Sequence, residues 1–137
     1  MSKVLVDTNI LIYVKDNSSI FHQAALKIID NSDDLYITSK NITEYYSVVT
    51  KGAQPLLTST EALEDIREFI SFCQVLYPDY LSYQKLSKLI LLHQPKGLLI
   101  HDFEIASIGL VNGVNKIATF NKADFSKITE LQVINIW

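Results

Sequence analysis

The run Val4-Leu5-Val6 is apolar and mostly β-branched, the pattern of a strand covered on both faces. It is broken at once by Asp7-Thr8-Asn9, three residues that favour helix N-caps. Ile10, Leu11 and Val14 then follow at helical spacing. A doubly covered strand turning directly into a helix is the opening of a parallel α/β sheet, and the same alternation continues along the chain. A helix is predicted over Phe21 to Asp30 and a strand over Leu35-Tyr36-Ile37-Thr38, with Ser39 capping a helix that runs to about Thr50 and ends at Gly52. Thr58-x-x-Glu61 reads as a capping box ahead of Leu63, Ile66, Phe69 and Ile70, which share one helical face. A short strand over Cys73 to Tyr77 is stopped by Pro78, and a helix from about Asp79 to His93 is ended by Pro95 and Gly97. Leu98-Leu99-Ile100 leads into a helix from about His101 to Asn112-Gly113, and Lys116 to Thr119 and Gln132 to Ile136 are the last strands. The expectation is one α/β domain over residues 1–137, with a mostly parallel sheet of about five strands.

Composition narrows the class. Hydrophobic residues make up 48% and charged residues 20% of the 137 positions, a globular balance with room for a real core. No apolar run approaches the ~20 residues of a membrane helix, and MSKVLVDTN does not have the form of a signal peptide. One cysteine, Cys73, rules out an internal disulfide and fits a reducing compartment, so a cytoplasmic location is expected. The net charge of −3 excludes a basic nucleic-acid coating module. It does not exclude a nuclease, because carboxylates loaded with divalent metal invert the local field and attract phosphate.

Three acids stand in unusually apolar company: Asp7 in LVDTNILIY, Glu44 in NITEYY and Asp102 in LLIHDFEIAS. Each has a plain structural explanation. Asp7 can cap a helix, Asp102 can complement a helix dipole, and Glu44 can simply face water. Asn121 and Asp124 can be turn formers. If the acids converge, however, they repel one another and resist ionisation unless a hard cation such as Mg²⁺ or Mn²⁺ joins them. The fold reading favours convergence. Ligands of parallel sheets bind beyond the carboxyl ends of the strands, where Asp7, Asn121 and Asp124 fall and where the helix carrying Glu44 begins.

The order of these segments resembles the PIN domain, and within it the VapC-type toxins of toxin–antitoxin pairs, over nearly the whole chain from Val4 to Trp137. LVDTNILIY is similar to the first motif of that family, ITEYYSVV to the second, IHDFEIASIGLVNGV to the third and IATFNKADF to the fourth. The resemblance implies a three-layer α/β/α sandwich and a metal-dependent endoribonuclease. It places Asp7, Glu44 and Asp102 as ligands of Mg²⁺ or Mn²⁺, adds Asp124 to the catalytic acids, and leaves Asn9, Thr119 and Asn121 as supporting or second-metal residues. It also implies an RNA substrate such as tRNA, a cognate antitoxin and a homodimer. The chain departs from the pattern at Asn121, where many members carry a fourth acid, and at Phe103, where a small residue is common. A second ion would therefore depend on Asp124, Asn121 or the substrate phosphate.

Two other readings stay open at this level. One is a PIN-fold protein that binds RNA without cutting it, to which the missing fourth acid points. The other is a doubly wound, receiver-like signalling module, which needs paired acids after the first strand, where this chain has Thr8 and Asn9. His22, His93 and His101 lack metal-ligand spacing and are expected at the surface or at helix ends. Tyr13, Tyr45 and Tyr46 can stack on bases or fill core, and Lys15, Lys40, Lys51 and Lys122 can reach an RNA backbone or simply face water.

Overall fold

The structure, a computed structural model, describes residues 2–31 and 34–134. Five strands, β1 (Lys3–Val6), β2 (Asp34–Thr38), β3 (Gln74–Leu76), β4 (Lys116–Ala118) and β5 (Gln132–Ile134), form one sheet in the order β3-β2-β1-β4-β5, every neighbouring pair parallel. The central position of β1 explains its sequence: Val4, Leu5 and Val6 are all buried, because the sheet is covered on both sides. Alternation then divides them. Val4 and Val6 pack with helices α1 (Thr8–Lys15), α2 (His22–Asn31), α3 (Ser39–Thr50) and α4 (Ser59–Phe72), through Ile10, Leu11, Ala25, Tyr45, Ile66 and Phe69. Leu5 faces the other layer, where α5 (Tyr80–His93), α6 (Leu99–Val111) and the single turn α7 (Lys122–Phe125) contribute Leu89, Phe103, Ile105, Ala106 and Phe125. This is the expected α/β/α sandwich, with a sheet that is wholly parallel among the described residues.

The strand order decides between two of the sequence readings. Receiver-type sheets run 2-1-3-4-5, whereas here β1 lies between β2 and β4. The receiver-like module is excluded on topology.

Several boundaries move. The cap of α3 is Thr38 and not Ser39: the Thr38 hydroxyl accepts from the Asn41 N–H, and the Asn41 side chain accepts from the Thr38 N–H. A reciprocal box wins over a lone serine one residue later because it satisfies two orphan backbone donors. Helix α6 starts at Leu99, two residues before His101, and takes no side-chain cap from Leu98. The predicted final strand is found over Gln132–Ile134, and its last predicted residues lie outside the described ones. In α4 the buried stripe is Ala62, Ile66 and Phe69, while Leu63 and Ile70 lie at its margin, 44% and 46% exposed. The Thr58–Glu61 box forms as expected, and Asp79 caps α5 through Ser82. Gly109 lets α6 approach the central strand: a Cβ there would stand 3.1 Å from Leu5 Cδ2 and 3.3 Å from the Val114 carbonyl.

Candidate functional site

The sheet reverses its winding between β1 and β4, so the turns leaving those two strands open a crevice at their carboxyl ends. The first layer of the crevice is a hydrogen-bonded floor. The Asp7 N–H donates to the Ala118 carbonyl at 3.0 Å, which prolongs the β1–β4 pairing by one step and fixes where the side chain begins. Both Asp7 carboxylate oxygens are then engaged. Oδ1 accepts from the Thr8 N–H at 2.8 Å, capping α1, and Oδ2 accepts from the Thr119 hydroxyl at 2.7 Å. Thr119 Oγ1 also accepts from Asn9 Nδ2 at 3.2 Å and from the Asn121 N–H at 2.9 Å, while Asn9 Oδ1 accepts from the Phe120 N–H. One hydroxyl thus joins the first and fourth sequence motifs across more than a hundred residues. The cap explanation of Asp7 is correct, and the same carboxylate also reaches the fourth-motif residue Thr119.

A second residue group ties in α3. Asn41, fully buried, donates through Nδ2 to Thr8 Oγ1 at 3.0 Å and accepts from the Thr38 N–H and hydroxyl at 2.9 and 2.8 Å. It therefore joins the start of the Glu44 helix to the turn that carries Asp7. Sequence reasoning missed Asn41 because it placed the cap at Ser39; the signal was present as Thr38-x-x-Asn41, a capping-box spacing.

Glu44 on the second turn of α3, Asp102 on the first turn of α6 and Asp124 on α7 line one cleft of about 360 Å³ with Leu98, Leu99 and His101. Lys40 and Glu104 pair at 3.4 Å, joining α3 to α6 beside that cleft. Asp7 is buried and not part of the lining, yet its charge reaches it. Burial pushes the Asp102 carboxyl up to about 7, and the charges of Asp7, Asp124 and Glu44 push it the same way. Asp7 rises to about 6 through burial, against the pull of the Thr119 and Thr8 hydrogen bonds and with a smaller push from Glu44. Two carboxyls, Asp7 and Asp102, that resist ionisation through burial and neighbouring acids mark a site that disfavours accumulating negative charge.

Asn121 stands at the rim, exposed, and its amide donates to Asp124 Oδ2 at 2.8 Å. The site residues predicted from sequence therefore fall in one region, with Asp7, Asn9 and Thr119 in the floor and Glu44, Asp102, Asp124 and Asn121 above it. As their side chains are placed, no three His, Cys, Asp or Glu groups among the described residues close on a single metal position. Both Asp7 oxygens and one Asp124 oxygen accept hydrogen bonds from neighbouring donors. The donor chemistry itself, hard carboxylate oxygens of Glu44, Asp102 and Asp124 on one cleft with Asp7 beneath it, fits a divalent ion such as Mg²⁺ or Mn²⁺.

Other candidates resolve simply. Tyr45 is core, with its hydroxyl on Asp65, and Tyr13 packs against Phe21 and Phe120. Tyr46 is 39% exposed and donates to Ser59. Lys15 pairs with Asp65 and Glu68. Cys73 is buried, and its thiol is pushed up to about 12 by that burial, so it is no nucleophile. His22 opens α2 and His93 closes α5, as expected of helix-end residues, but His101 lies in the acidic cleft beside Asp102.

The family model for the PIN domain matches residues 4–131. The chain belongs to the PIN domain family. Solved structures agree on the fold of this PIN domain. It is similar to a chain of VapBC2 from Rickettsia felis bound to a promoter DNA fragment, with a TM-score of 0.74, 18% identity and 98% of each chain covered. It is similar to a chain of VapBC-1 from nontypeable Haemophilus influenzae, with a TM-score of 0.74, 22% identity and 97% of each chain covered. A third similar structure is VapC20 of Mycobacterium tuberculosis, a toxin that cleaves the sarcin–ricin loop. Its TM-score is 0.72 at 9% identity, with 90% of this PIN domain and 94% of that chain covered. No curated protein sequence matches significantly. Among the described residues, no helix of this PIN domain is long and apolar enough to cross a membrane.

Proposed function

We propose that this PIN domain is a single-domain, cytoplasmic, Mg²⁺- or Mn²⁺-dependent endoribonuclease, the toxin of a type II toxin–antitoxin pair. The observation that carries this reading is the raised carboxyl of Asp102, which feels Asp7, Glu44 and Asp124 together at the switch point of the sheet. Asp7, Glu44 and Asp102 would hold the ion, with Asp124 and Asn121 beside it. Bound there, the ion supplies an activated water and offsets charge on the phosphoryl oxygens. The chain's own residues do the positioning. Thr119 and the Thr8 N–H orient Asp7, Asn9 fixes the Thr119 turn, and Asn41 sets the α3 helix that presents Glu44.

The toxin part of the reading draws on the structural neighbours, which are VapBC complexes, one of them on promoter DNA, and a VapC toxin that cuts RNA. Two surfaces support partners. Helix α5 exposes Tyr80, Leu81, Tyr83, Leu91 and Leu92, an apolar face of the kind that homodimers cover. A cavity of about 490 Å³ between α1, α3 and α4, walled by Ile12, Tyr45, Val49, Leu56 and Leu57 with Lys15, Asp16 and Asp65 among them, suits an amphipathic segment of an antitoxin.

The test is cleavage of total RNA and of purified tRNA by the protein. Activity with Mg²⁺ or Mn²⁺ that is lost with EDTA and in Asp102→Asn supports the reading. Equal cleavage by wild type and Asp102→Asn overturns it. RNA binding without cleavage under any divalent ion would instead favour the non-cutting alternative, to which Asn121 in place of an acid points.

A further inference from the structure

Beside the acidic cleft, and sharing Leu99 with it, lies a cavity of about 580 Å³ whose wall includes His93, Gln94, Lys96, Phe103 and Lys127. Its charge is opposite to that of its neighbour. The acidic cleft has Glu44, Asp102 and Asp124 in its wall, whereas this one has two lysines and no carboxylate. Neither lysine forms an ion pair among the described residues, unlike Lys15, Lys40 and Lys85, each of which is matched by an acid. The negative end of the α5 dipole at His93 and the positive end of the α6 dipole at Leu99 both reach this region and oppose each other. The lysines therefore decide its sign.

A second observation falls in the same wall. Among the described residues, His93 Nε2 is the buried side-chain polar atom without a hydrogen-bond partner. The ring meets Phe103 edge-on at 5.8 Å between centroids, an apolar contact that leaves the nitrogen unsatisfied. Such a group costs free energy unless a partner is supplied, and turning the imidazole toward the cavity would let an anion supply it.

We propose that this cavity is a phosphate subsite for the RNA strand, in which Lys96 and Lys127 hold a backbone phosphate next to the one presented to the acidic cleft, with His93 as a third donor. This deepens the nuclease reading and rests on it. A protein of net charge −3 with a carboxylate-lined cleft repels a polyanion overall. An adjoining cationic subsite, which shares Leu99 with the cleft of Asp102, gives the strand a fixed point.

The experiment measures binding of a labelled single-stranded RNA by anisotropy in EDTA, over a range of salt concentrations. Wild type is compared with Lys96→Gln/Lys127→Gln, with His93→Phe and with a charge-matched control, Lys27→Gln/Lys88→Gln. The first pair should weaken binding roughly 10-fold at low salt and flatten the dependence of log K on log salt by about 1.4, two contacts at ~0.7 each. His93→Phe should weaken it less, and the control should leave it near wild type. Mn²⁺ binding, followed by calorimetry, should be unchanged in Lys96→Gln/Lys127→Gln. Equal affinity and salt slope in the two lysine pairs overturn the subsite while leaving the nuclease reading standing, as does loss of Mn²⁺ affinity in the first pair. A wild type that binds neither RNA nor Mn²⁺ overturns both.

Discussion

The floor and the rim of the crevice are built differently. At the floor, Asp7 has both oxygens occupied, Thr119 uses its hydroxyl three times, and the Asn41 side chain is sealed by three hydrogen bonds to Thr38 and Thr8. At the rim, the Asp102 carboxylate has no hydrogen-bond partner among the described residues, Asp124 is held by one exposed amide, and that amide belongs to Asn121. On the proposed reading, a site that admits an ion and a phosphate gains from such a division. The floor fixes direction before anything binds, and the rim keeps acceptor capacity in reserve. Variants at the two levels should therefore fail in different ways.

The largest effect is expected at Asp102. Asp102→Asn should bring RNA cleavage down to background. In metal-free buffer at pH 8 the same variant should be more stable than wild type, by on the order of 1 kcal/mol or about 3 °C in Tm once solvent screening is allowed for. The reason is that Asp102 ionises there against burial and three like charges. Calorimetry beside a cleavage assay would show the two effects moving in opposite directions. A destabilised, inactive Asp102→Asn would mean that the rim is as tightly built as the floor. Asp7→Asn is the poorer isostere, since its amide would have to face either the Thr8 N–H or a hydroxyl that already accepts two hydrogen bonds.

Thr119→Val should come next. The shape is kept, but Asp7 Oδ2 loses its donor and Asn9 Nδ2 and the Asn121 N–H lose their acceptor. A cost of about 2–3 kcal/mol is expected in urea unfolding, together with a strong loss of activity. A smaller cost than that of an exposed hydroxyl would show that the floor is not the rigid layer described above.

How far all this was legible in the sequence follows the same division. The acids announced themselves because each interrupts an apolar element, and the strand–helix alternation put Asp7 and the fourth motif on one edge. The floor did not announce itself. Thr119 and Asp7 are neighbours only because β4 inserts beside β1, a pairing that no local pattern encodes. Asn41 was hidden by a competing cap at Ser39, and His101 by its place in a helix whose start was read two residues late. Tyr45 was correctly weighed as core, but its hydroxyl partner Asp65 lies on another helix and could not be read from NITEYY.

The pH dependence of the metal-free protein is a gentler test of the same comparison. Asp7 and Asp102 have folded values raised to about 6 and about 7 from 3.8. Between those limits the folded state binds more protons than the unfolded chain, so this pair of groups lowers stability as pH rises from about 4 to above 7. Tm in EDTA should fall across pH 5 to 8, and millimolar Mn²⁺ should restore it most at the upper end, where both groups are ionised. A flat profile in EDTA would mean that neither burial nor the neighbouring acids raise these two carboxyls.

Asn121 should give the smallest effect, and the one that sharpens the rim most. Asn121→Ala removes a neutral amide that is a weak ligand for a hard ion, and it frees Asp124 Oδ2 from its only described partner. Activity should change by only a few-fold, with stability within about 0.5 kcal/mol of wild type, as for other exposed positions. Asn121→Asp makes the opposite change. It places a second carboxylate beside Asp124, where many family members carry an acid, and should raise affinity for Mn²⁺ while lowering metal-free stability at high pH. If Asn121→Ala instead abolishes cleavage, the amide holds Asp124 in its working position and the rim is preorganised after all. If Asn121→Asp leaves Mn²⁺ affinity unchanged, the ion is held by Asp7, Glu44 and Asp102 alone, and the fourth corner serves the substrate.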